Sequence, residues 1–285
     1  MEPGKYLYFN EKIIKTGKAI ITADNRSFRF GDGFFETMKM IDGNIPLLNY
    51  HLERLFSSLE ILKFEKQRHF TGAYLSEQIK NIVLKNKHAK AARIRLTVFR
   101  GDGSLYDYEN DYPNYIIQTW QLPSSFSFNK TGLVSGIYLK ARKSSDDFSH
   151  IKSNNYLPCL MAALWAKENK LNEAIILNNY NRVAEATIAN IFLVNDGKIQ
   201  TPALSEGCVG GVMRKFLIEC LKKENIPFEE TAIETEALLA ANEVFTTNAS
   251  AGITPVTCCE KSNYSNKLAE YLHNKFVLPL FAVKQ

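Results

Sequence analysis

What this 285-residue sequence lacks already excludes several classes of protein. Its five cysteines show no Cys-x-x-Cys spacing and two of them are adjacent, so neither a zinc knuckle nor a disulfide framework is predicted. The five histidines show no His-Glu-x-x-His or other ligand spacing, so we expect no metal site. This cysteine usage is typical of a protein from a reducing compartment.

Long apolar runs are absent too. No stretch of about twenty apolar residues occurs, and the first residues, Met-Glu-Pro-Gly-Lys-Tyr, contain no apolar export segment. We therefore predict a cytoplasmic protein without a membrane partner. The net charge of +5 is small, and the lysines between Lys63 and Lys90 are not interleaved with aromatic residues as a single-strand binding surface requires. No nucleic-acid partner is predicted, and a solvated helical face is the interpretation we adopt for these lysines.

The glycine pattern of a dinucleotide-binding protein is also missing. Gly31-Asp32-Gly33 lacks the third glycine that lets a helix pack closely, because Glu36 occupies that place. The motif also runs into a strand-like segment rather than a helix. A dinucleotide cofactor is therefore not predicted.

What is present is the composition of an ordinary globular protein, 45% hydrophobic and 23% charged. Strands mixed with hairpins and helices indicate a mixed α/β (α+β) fold rather than a doubly wound sheet. A break in the pattern at Leu122-Pro123-Ser124-Ser125 predicts a smaller N-terminal α/β domain, residues 1–121, and a larger C-terminal domain, residues 126–285.

Strands are predicted from alternation and turn residues, and helices from apolar stripes. In the first domain the predicted strands are 19–22, 34–41, 45–48, 92–99 and 115–121, and the predicted helices are 50–62 and 76–86. In the second domain the predicted strands are 173–177, 182–194 and 198–201. The predicted helices there are 156–166, 212–223 and two C-terminal stretches.

Two residues suggest chemistry. Glu185 lies in an apolar strand pattern, where a carboxylate is costly to bury unless a cation meets it. Lys152 lies just before an apolar helix, and a lysine in such a place can form a Schiff base. Together they are typical of a pyridoxal phosphate site, in which the lysine holds the aldehyde and the acid keeps the ring nitrogen protonated. A solvated Lys152 and a Glu185 on the polar face of its strand are the open alternatives.

Two further features favour an anion site. Gly210-Gly211 directly precedes a predicted helix, so the N–H groups of Val212 and Met213 can meet a phosphate there. The alternative is a plain glycine-rich helix start. Arg54 can clamp a phosphate or simply pair with an acidic neighbour on its helix.

In the order of its motifs the chain resembles the class IV aminotransferases, the fold-type IV pyridoxal phosphate enzymes. The motifs run from Arg29-Phe30-Gly31-Asp32-Gly33-Phe34-Phe35-Glu36-Thr37 to Ala251-Gly252-Ile253-Thr254-Pro255-Val256. The resemblance implies a two-domain architecture like that of D-amino acid aminotransferase, pyridoxal 5'-phosphate as cofactor, a small amino substrate and a homodimer.

Carried over by position, the resemblance implies a role for each motif residue. Lys152 matches the Schiff-base lysine, Glu185 the acid at the pyridine nitrogen and Arg54 the phosphate-binding arginine. The phosphate would also meet the helix start and a nearby loop, formed by Val212, Met213, Asn248, Ala249 and Ser250. Because Ala249 occupies the usual threonine place, a hydroxyl must come from Thr247 or Ser250.

The subfamily follows from smaller differences. The Gly-Val-Met-Arg form of Gly211-Val212-Met213-Arg214, Ala189-Asn190 and Asn248-Ala249 look more like 4-amino-4-deoxychorismate lyases. Ala186 stands where branched-chain aminotransferases usually carry a glycine. Arg95, at the place of a carboxylate-binding arginine, keeps branched-chain L-amino acid transamination open. The Arg-x-His trap of the D-specific enzymes is missing after Phe99, where Tyr106 is a second candidate substrate residue. Thr37 would assist proton transfer by Lys152 in the lyase, which gives 4-aminobenzoate, a folate precursor, and pyruvate.

Overall fold

The computed structural model describes residues 1–106, 110–123 and 126–281. These residues form two compact units. The first contains Met1–Phe126 and the short segment Lys152–Asn155, and the second contains Ser127–Ile151 and the described residues from Tyr156 onward. The predicted division into 1–121 and 126–285 stays a prediction about domains, and it did not anticipate that 152–155 groups with the first unit. Ser124 and Ser125 lie outside the described residues.

The first unit is built on one antiparallel sheet with two longer helices. The sheet order is β2-β1-β5-β4-β3. In chain order the elements are β1 Tyr6–Phe9, β2 Lys12–Lys15, α1 Arg26–Phe30, β3 Gly33–Ile41, α2 Leu48–Ile61, α3 Gly72–Lys85, β4 Ala91–Phe99 and β5 Asn114–Gln121.

Alternation along the central strands gives this sheet two different faces. On β3, Phe34, Glu36 and Met38 are buried on the face that meets α2, and β4 and β5 add apolar residues such as Leu96 and Ile117 there. The opposite face is less covered and carries Phe35, Thr37 and Lys39 on β3, Arg93, Arg95 and Thr97 on β4, and Gln118 on β5. Thr37 and Arg95, two of the candidate site residues, therefore share one face.

Two predicted strands of this unit are wrong. Residues 19–22 are not a strand, and Ile21 is 43% exposed, so the apolar run has no packing partner to hold it extended. The turn Asp42-Gly43 is present, with φ of 46° and 77°, but only the single bridge Ile41–Asn44 follows it. Pro46 cannot donate to a ladder and Leu47 has φ of 58°, so the chain enters α2 instead of a second strand.

The second unit contains a larger mixed sheet, of order β11-β10-β9-β12-β13-β6-β7-β8, with β14 paired to β13. Its elements are β6 Leu133–Lys143, α4 Leu157–Glu168, β7 Glu173–Asn178, β8 Val183–Ala186, β9 Asn190–Asn195, β10 Lys198–Pro202, α5 Val212–Lys223, β11 Phe228–Thr231, α6 Thr235–Leu239, β12 Glu243–Asn248, β13 Gly252–Cys259, β14 Ser262–Asn263, α7 Lys267–Leu272 and α8 Leu278–Phe281. A 3-10 turn, Leu204–Glu206, precedes α5, and a π-helical stretch, His273–Val277, joins α7 to α8.

The second unit corrects the predicted strand 182–194. It is broken into β8 and β9 by residues 187–189, where Thr187 bonds to the buried Glu173 through its N–H and hydroxyl. The strands β12 and β13 were not predicted, because both faces of β12 are buried and alternation is lost. Among the described residues, no helix is long and apolar enough to cross a membrane.

Candidate active site

The backbone of Lys152 is fixed to the start of β3 within the first unit. Phe35 donates its N–H to the carbonyl of Lys152 at 3.0 Å, and Asn154 donates to the carbonyl of Gly33 at 2.9 Å. Phe34 and Ser153 form an antiparallel bridge between these bonds. The segment therefore acts as a short extra strand that holds Lys152 in place.

This pairing explains the Gly31-Asp32-Gly33 motif, which is not a nucleotide motif. A Cβ on Gly31 would lie 2.2 Å from Oδ1 of Asn155, and one on Gly33 would lie 2.4 Å from the carbonyl oxygen of Val98. Such distances are far below van der Waals contact. The glycines therefore let the Lys152 segment and β4 approach the backbone of β3 closely.

Two of the predicted active-site side chains lie at one ring, and a third lies on the neighbouring strand opposite one of them. Nζ of Lys152 is 4.6 Å from the centroid of the Phe35 ring, and Cζ of Arg95 is 3.6 Å from the same centroid. Thr37 lies opposite Arg95 in the β3–β4 register. An amine, a guanidinium and a hydroxyl therefore share the less covered face of this sheet.

Arg54, the predicted phosphate ligand, forms a two-pronged ion pair with Glu36. Nε donates to Oε1 at 2.7 Å, and Nη2 donates to Oε2 at 2.6 Å. Nδ1 of His51 lies 2.7 Å from Oε2 of the same carboxylate. Burial alone would raise the pKa of Glu36, but Arg54 and His51 outweigh it and hold the pKa at about 2. The partner of Arg54 is thus a strand carboxylate, not the helix neighbour that its position favoured.

Glu185 is buried in the second unit, so the solvent-facing alternative is wrong. The four residues of β8 are all buried, and Glu185 is 3% exposed. The prediction that a cation must meet this carboxylate is fulfilled by Lys143, whose Nζ lies 2.6 Å from Oε1. Oε2 accepts the N–H of Val209 at 2.8 Å. Sequence reasoning missed Lys143, since it is one of several basic residues at the end of β6.

The loop that follows Val209 leads into the start of α5. Asn190 donates from Nδ2 to the carbonyl of Val209 at 2.7 Å, and a Cβ on Gly211 would lie only 1.9 Å from Oδ1 of Asn190. Gly211 is the N-cap of α5, and no side chain caps this helix. The first N–H groups, on the buried Val212 and Met213, are therefore offered to a ligand rather than to a protein side chain.

Thr247 lies across from Asn190 in the β9–β12 register. Its Oγ1 is buried and has no hydrogen-bond partner in the structure. An unpaired buried hydroxyl is costly and points to a missing acceptor or donor. Asn248, in contrast, uses Oδ1 to accept the N–H groups of Ser250 and Ala251 at 2.9 and 2.8 Å, so it shapes the turn around Ala249.

These residues of the second unit fit pyridoxal phosphate, the group that the sequence resemblance implies. A carboxylate has about four acceptor positions, and two of those on Glu185 are used by Lys143 and Val209, so capacity for a ring N–H remains. The uncapped start of α5 and the unpaired hydroxyl of Thr247 suit a phosphate. Of the two hydroxyls that Ala249 left open, the buried hydroxyl of Thr247 is therefore the one we propose to test.

The remaining site predictions stay predictions. Lys152, Thr37, Arg95 and Arg54 belong to the first unit, and Glu185 with the α5 start belongs to the second. Tyr106, the other candidate substrate residue, is 82% exposed. Residues 107–109, which follow it, lie outside the described part of the chain.

Comparison with known proteins shows the family of this chain. The model of the family described as amino-transferase class IV matches residues 33–259. Aminodeoxychorismate lyase from Bacillus subtilis (strain 168) is 30% identical over 93% of this chain and 90% of its own length. A putative branched-chain-amino-acid aminotransferase from Methanocaldococcus jannaschii is 28% identical over 88% of this chain and 86% of its own length.

A solved structure supports the fold. The branched-chain amino acid aminotransferase of T.th. with pyridoxamine 5'-phosphate superposes with a TM-score of 0.86 at 21% identity, over 99% of this chain and 95% of the other. The predicted mixed α/β, fold-type IV architecture is thereby confirmed. The predicted pyridoxal phosphate cofactor is confirmed by the match to the class IV family.

Proposed function

The chain belongs to the class IV aminotransferase family of pyridoxal phosphate enzymes, and from this premise we propose that it is a lyase that converts 4-amino-4-deoxychorismate into 4-aminobenzoate and pyruvate. The observation that carries the proposal is the arrangement around Phe35. Lys152 and Arg95 both contact its ring, and Thr37 lies opposite Arg95. A base, a carboxylate-binding group and a hydroxyl suit a substrate with one amine and two carboxylates.

The lyase is preferred over a transaminase on two grounds. Gly211-Val212-Met213-Arg214 resembles the lyase form, Ala186 departs from the glycine usual in branched-chain enzymes, and the Bacillus subtilis relative is named a lyase. The alternative is an aminotransferase of branched-chain L-amino acids, which would use the same Lys152, Glu185 and Arg95, as the Methanocaldococcus jannaschii relative suggests. A D-amino acid aminotransferase lacks support from the residues after Phe99.

Each residue has a defined task in the proposed reaction. Lys152 would hold the aldehyde of the cofactor, and its amine would move the proton at the substrate carbon that bears nitrogen. Thr37 assists this proton transfer, and Arg95 binds a substrate carboxylate. Pyridoxal phosphate, when bound, supplies the sink for the electrons left on that carbon. Loss of pyruvate leaves an aromatic ring, which provides driving force.

The second group of residues would hold the cofactor. Glu185 keeps the ring nitrogen protonated. The N–H groups of Val212 and Met213, the turn Asn248-Ala249-Ser250 and the hydroxyl of Thr247 bind the phosphate. Arg54, whose guanidinium is paired with Glu36, is the further phosphate ligand that the family resemblance implies.

The test is a reaction without a keto acid. Purified, cofactor-loaded enzyme is mixed with 4-amino-4-deoxychorismate, and 4-aminobenzoate fluorescence and pyruvate are followed. Equal amounts of both products over many turnovers are expected, and Lys152→Ala must form neither. If no product forms while L-leucine or L-glutamate converts the cofactor to its amine form, the protein is an aminotransferase and the lyase proposal is wrong.

We further propose that the enzyme is a homodimer, and a cytoplasmic location stays a prediction. One face of α4 is apolar and exposed at i, i+3, i+4 and i+7, through Leu157, Leu160, Met161 and Leu164. A cluster of this kind on a helix marks an interaction surface. A second copy of the chain is the occupant that the family resemblance favours.

A further inference from the structure

Lys143 forms the closest polar contact of Glu185, and nothing in the family motifs singles it out. Its Nζ lies 2.6 Å from Oε1, and the two side chains are 15% and 4% exposed. Lys143 is the last residue of β6, after an irregularity in the β6–β7 pairing between Tyr138 and Lys143. This irregularity changes the alternation, so that Lys143 is directed at the carboxylate.

The two oxygens of Glu185 are held by different elements. Lys143 reaches Oε1 from β6, and the N–H of Val209 reaches Oε2 from the loop before α5. These bonds fix the plane of the carboxylate. Glu185 is therefore oriented before any cofactor binds, as a precise contact to a ring nitrogen requires.

Of the ionisable groups near Glu185 described below, Lys143 is the one that carries a positive charge. Glu173 is near enough to act on Glu185, but it is an acid, and burial raises its pKa. Burial also raises the pKa of the Cys208 thiol to about 12, so the thiol stays neutral. Burial alone would lower the pKa of Lys143, but Glu185 outweighs it and raises that pKa. Among the described residues, Lys143 is the cationic group bonded to Glu185.

A buried carboxylate and a pyridine nitrogen can share a proton in two ways. Burial disfavours charge, so an isolated pair would tend to a neutral acid beside a neutral nitrogen. A cation in direct contact with the carboxylate lowers the proton affinity of that carboxylate more than that of a group farther away. The cation therefore drives the proton toward the nitrogen.

We propose that Lys143 is a positioning residue that acts through Glu185: it keeps the carboxylate ionised and oriented, so that the proton of the Glu185–pyridine contact resides on the cofactor's ring nitrogen. This rests on the role assigned to Glu185 in the proposed function. The ring can act as an electron sink only when this nitrogen is protonated, so Lys143 supports the reaction without touching the substrate.

The experiment measures the proton directly. Pyridoxal phosphate labelled with 15N at the ring nitrogen is bound at saturation, and its solid-state NMR shift is recorded. Wild type should show a protonated nitrogen. Lys143→Gln, which keeps a hydrogen-bond donor but removes the charge, should move the shift toward the unprotonated value, and Lys143→Met should do the same. Lys143→Arg should restore the wild-type shift.

Arg142→Gln is the matched control, because Arg142 is the sequence neighbour of Lys143 but bonds to Asn181 and to carbonyls of Leu139 and Ala141. Its shift should equal that of wild type. If Glu185→Gln moves the shift and neither Lys143→Gln nor Lys143→Met does, the proposal for Lys143 alone is overturned. If Glu185→Gln also leaves the nitrogen protonated, the role of Glu185 in the proposed function is wrong, and the proposal for Lys143 is overturned with it.

Discussion

Two buried carboxylates of this protein are each paired with a basic side chain. Glu36, 1% exposed, is paired with Arg54 and His51, and Glu185 is paired with Lys143. Removal of one partner from a buried pair leaves an uncompensated charge, which is costly. A single substitution in either pair should therefore have a measurable effect on the protein.

For Glu36→Gln we expect a loss of about 3 kcal/mol in the free energy of unfolding at about pH 7, since a buried pair is broken. The pKa of Glu36 is lowered to about 2 in the folded state, below the value of about 4.3 for an unfolded glutamate. The stabilisation is therefore present above about pH 4.3 and is lost as the pH falls toward 2. Urea unfolding of wild type and variant across this range measures it.

Glu60→Gln is the control for Glu36→Gln, since Glu60 lies on α2, the helix that supplies both partners of Glu36, and is exposed. It should change the free energy of unfolding by less than about 0.5 kcal/mol. A stability difference between wild type and Glu36→Gln that grows as the pH falls would contradict the assignment.

Thr247→Val should change stability and cofactor affinity in opposite directions. The hydroxyl is buried and unpaired without a ligand, so its removal should stabilise the cofactor-free protein by about 1 kcal/mol. A lost hydrogen bond to a charged phosphate should weaken cofactor binding about tenfold. Thermal unfolding and a fluorescence titration with pyridoxal phosphate measure the two effects.

Thr246→Val is the control, because the hydroxyl of Thr246 bonds to the carbonyl of Thr254. This variant should leave cofactor affinity unchanged. Equal affinities for both variants would refute the phosphate contact.

At the scale of elements, prediction from sequence succeeded where a local pattern decides the structure. The bounds of α5, Val212–Lys223, agree with the predicted helix, because an apolar stripe follows two glycines. Prediction failed where tertiary packing decides. The all-buried β12 shows no alternation, and the break between β8 and β9 depends on Glu173, which lies on another strand.

Gly211→Ala tests the start of α5 as a phosphate site. The new Cβ would lie 1.9 Å from Oδ1 of Asn190, so the loop must shift and the N–H groups of Val212 and Met213 move with it. We expect a loss of about 1–3 kcal/mol in stability from overpacking and at least tenfold weaker binding of pyridoxal phosphate. Gly210→Ala is a closely matched control, because its Cβ would meet only the carbonyl oxygen of His150 at 3.5 Å, an ordinary contact. Equal cofactor affinities for the two variants would contradict the assignment.

At the scale of the whole molecule, the sequence predicted the family of pyridoxal phosphate enzymes. It did not predict which segments belong to each of the two units. The segment Lys152–Asn155 joins the first unit through bonds to Gly33 and Phe35, more than a hundred residues earlier. Such distant pairing leaves no periodic signal in the sequence. Sequence analysis also missed the cation that meets Glu185. Lys143 is one of three basic residues at the end of β6, and no local pattern shows which of them reaches Glu185.

The last prediction concerns the assembly. If the exposed apolar face of α4 is covered by a second copy, Leu160→Glu should convert a dimer into monomers, because a charge buried without a partner opposes association. Light scattering after size-exclusion chromatography measures the mass. Leu84→Glu is the control, since Leu84 is an exposed leucine on α3 in the first unit, 63% exposed, and its substitution should leave the mass unchanged. A wild-type protein that runs as a monomer, or a Leu160→Glu variant that stays dimeric, would show that α4 is not the dimer interface.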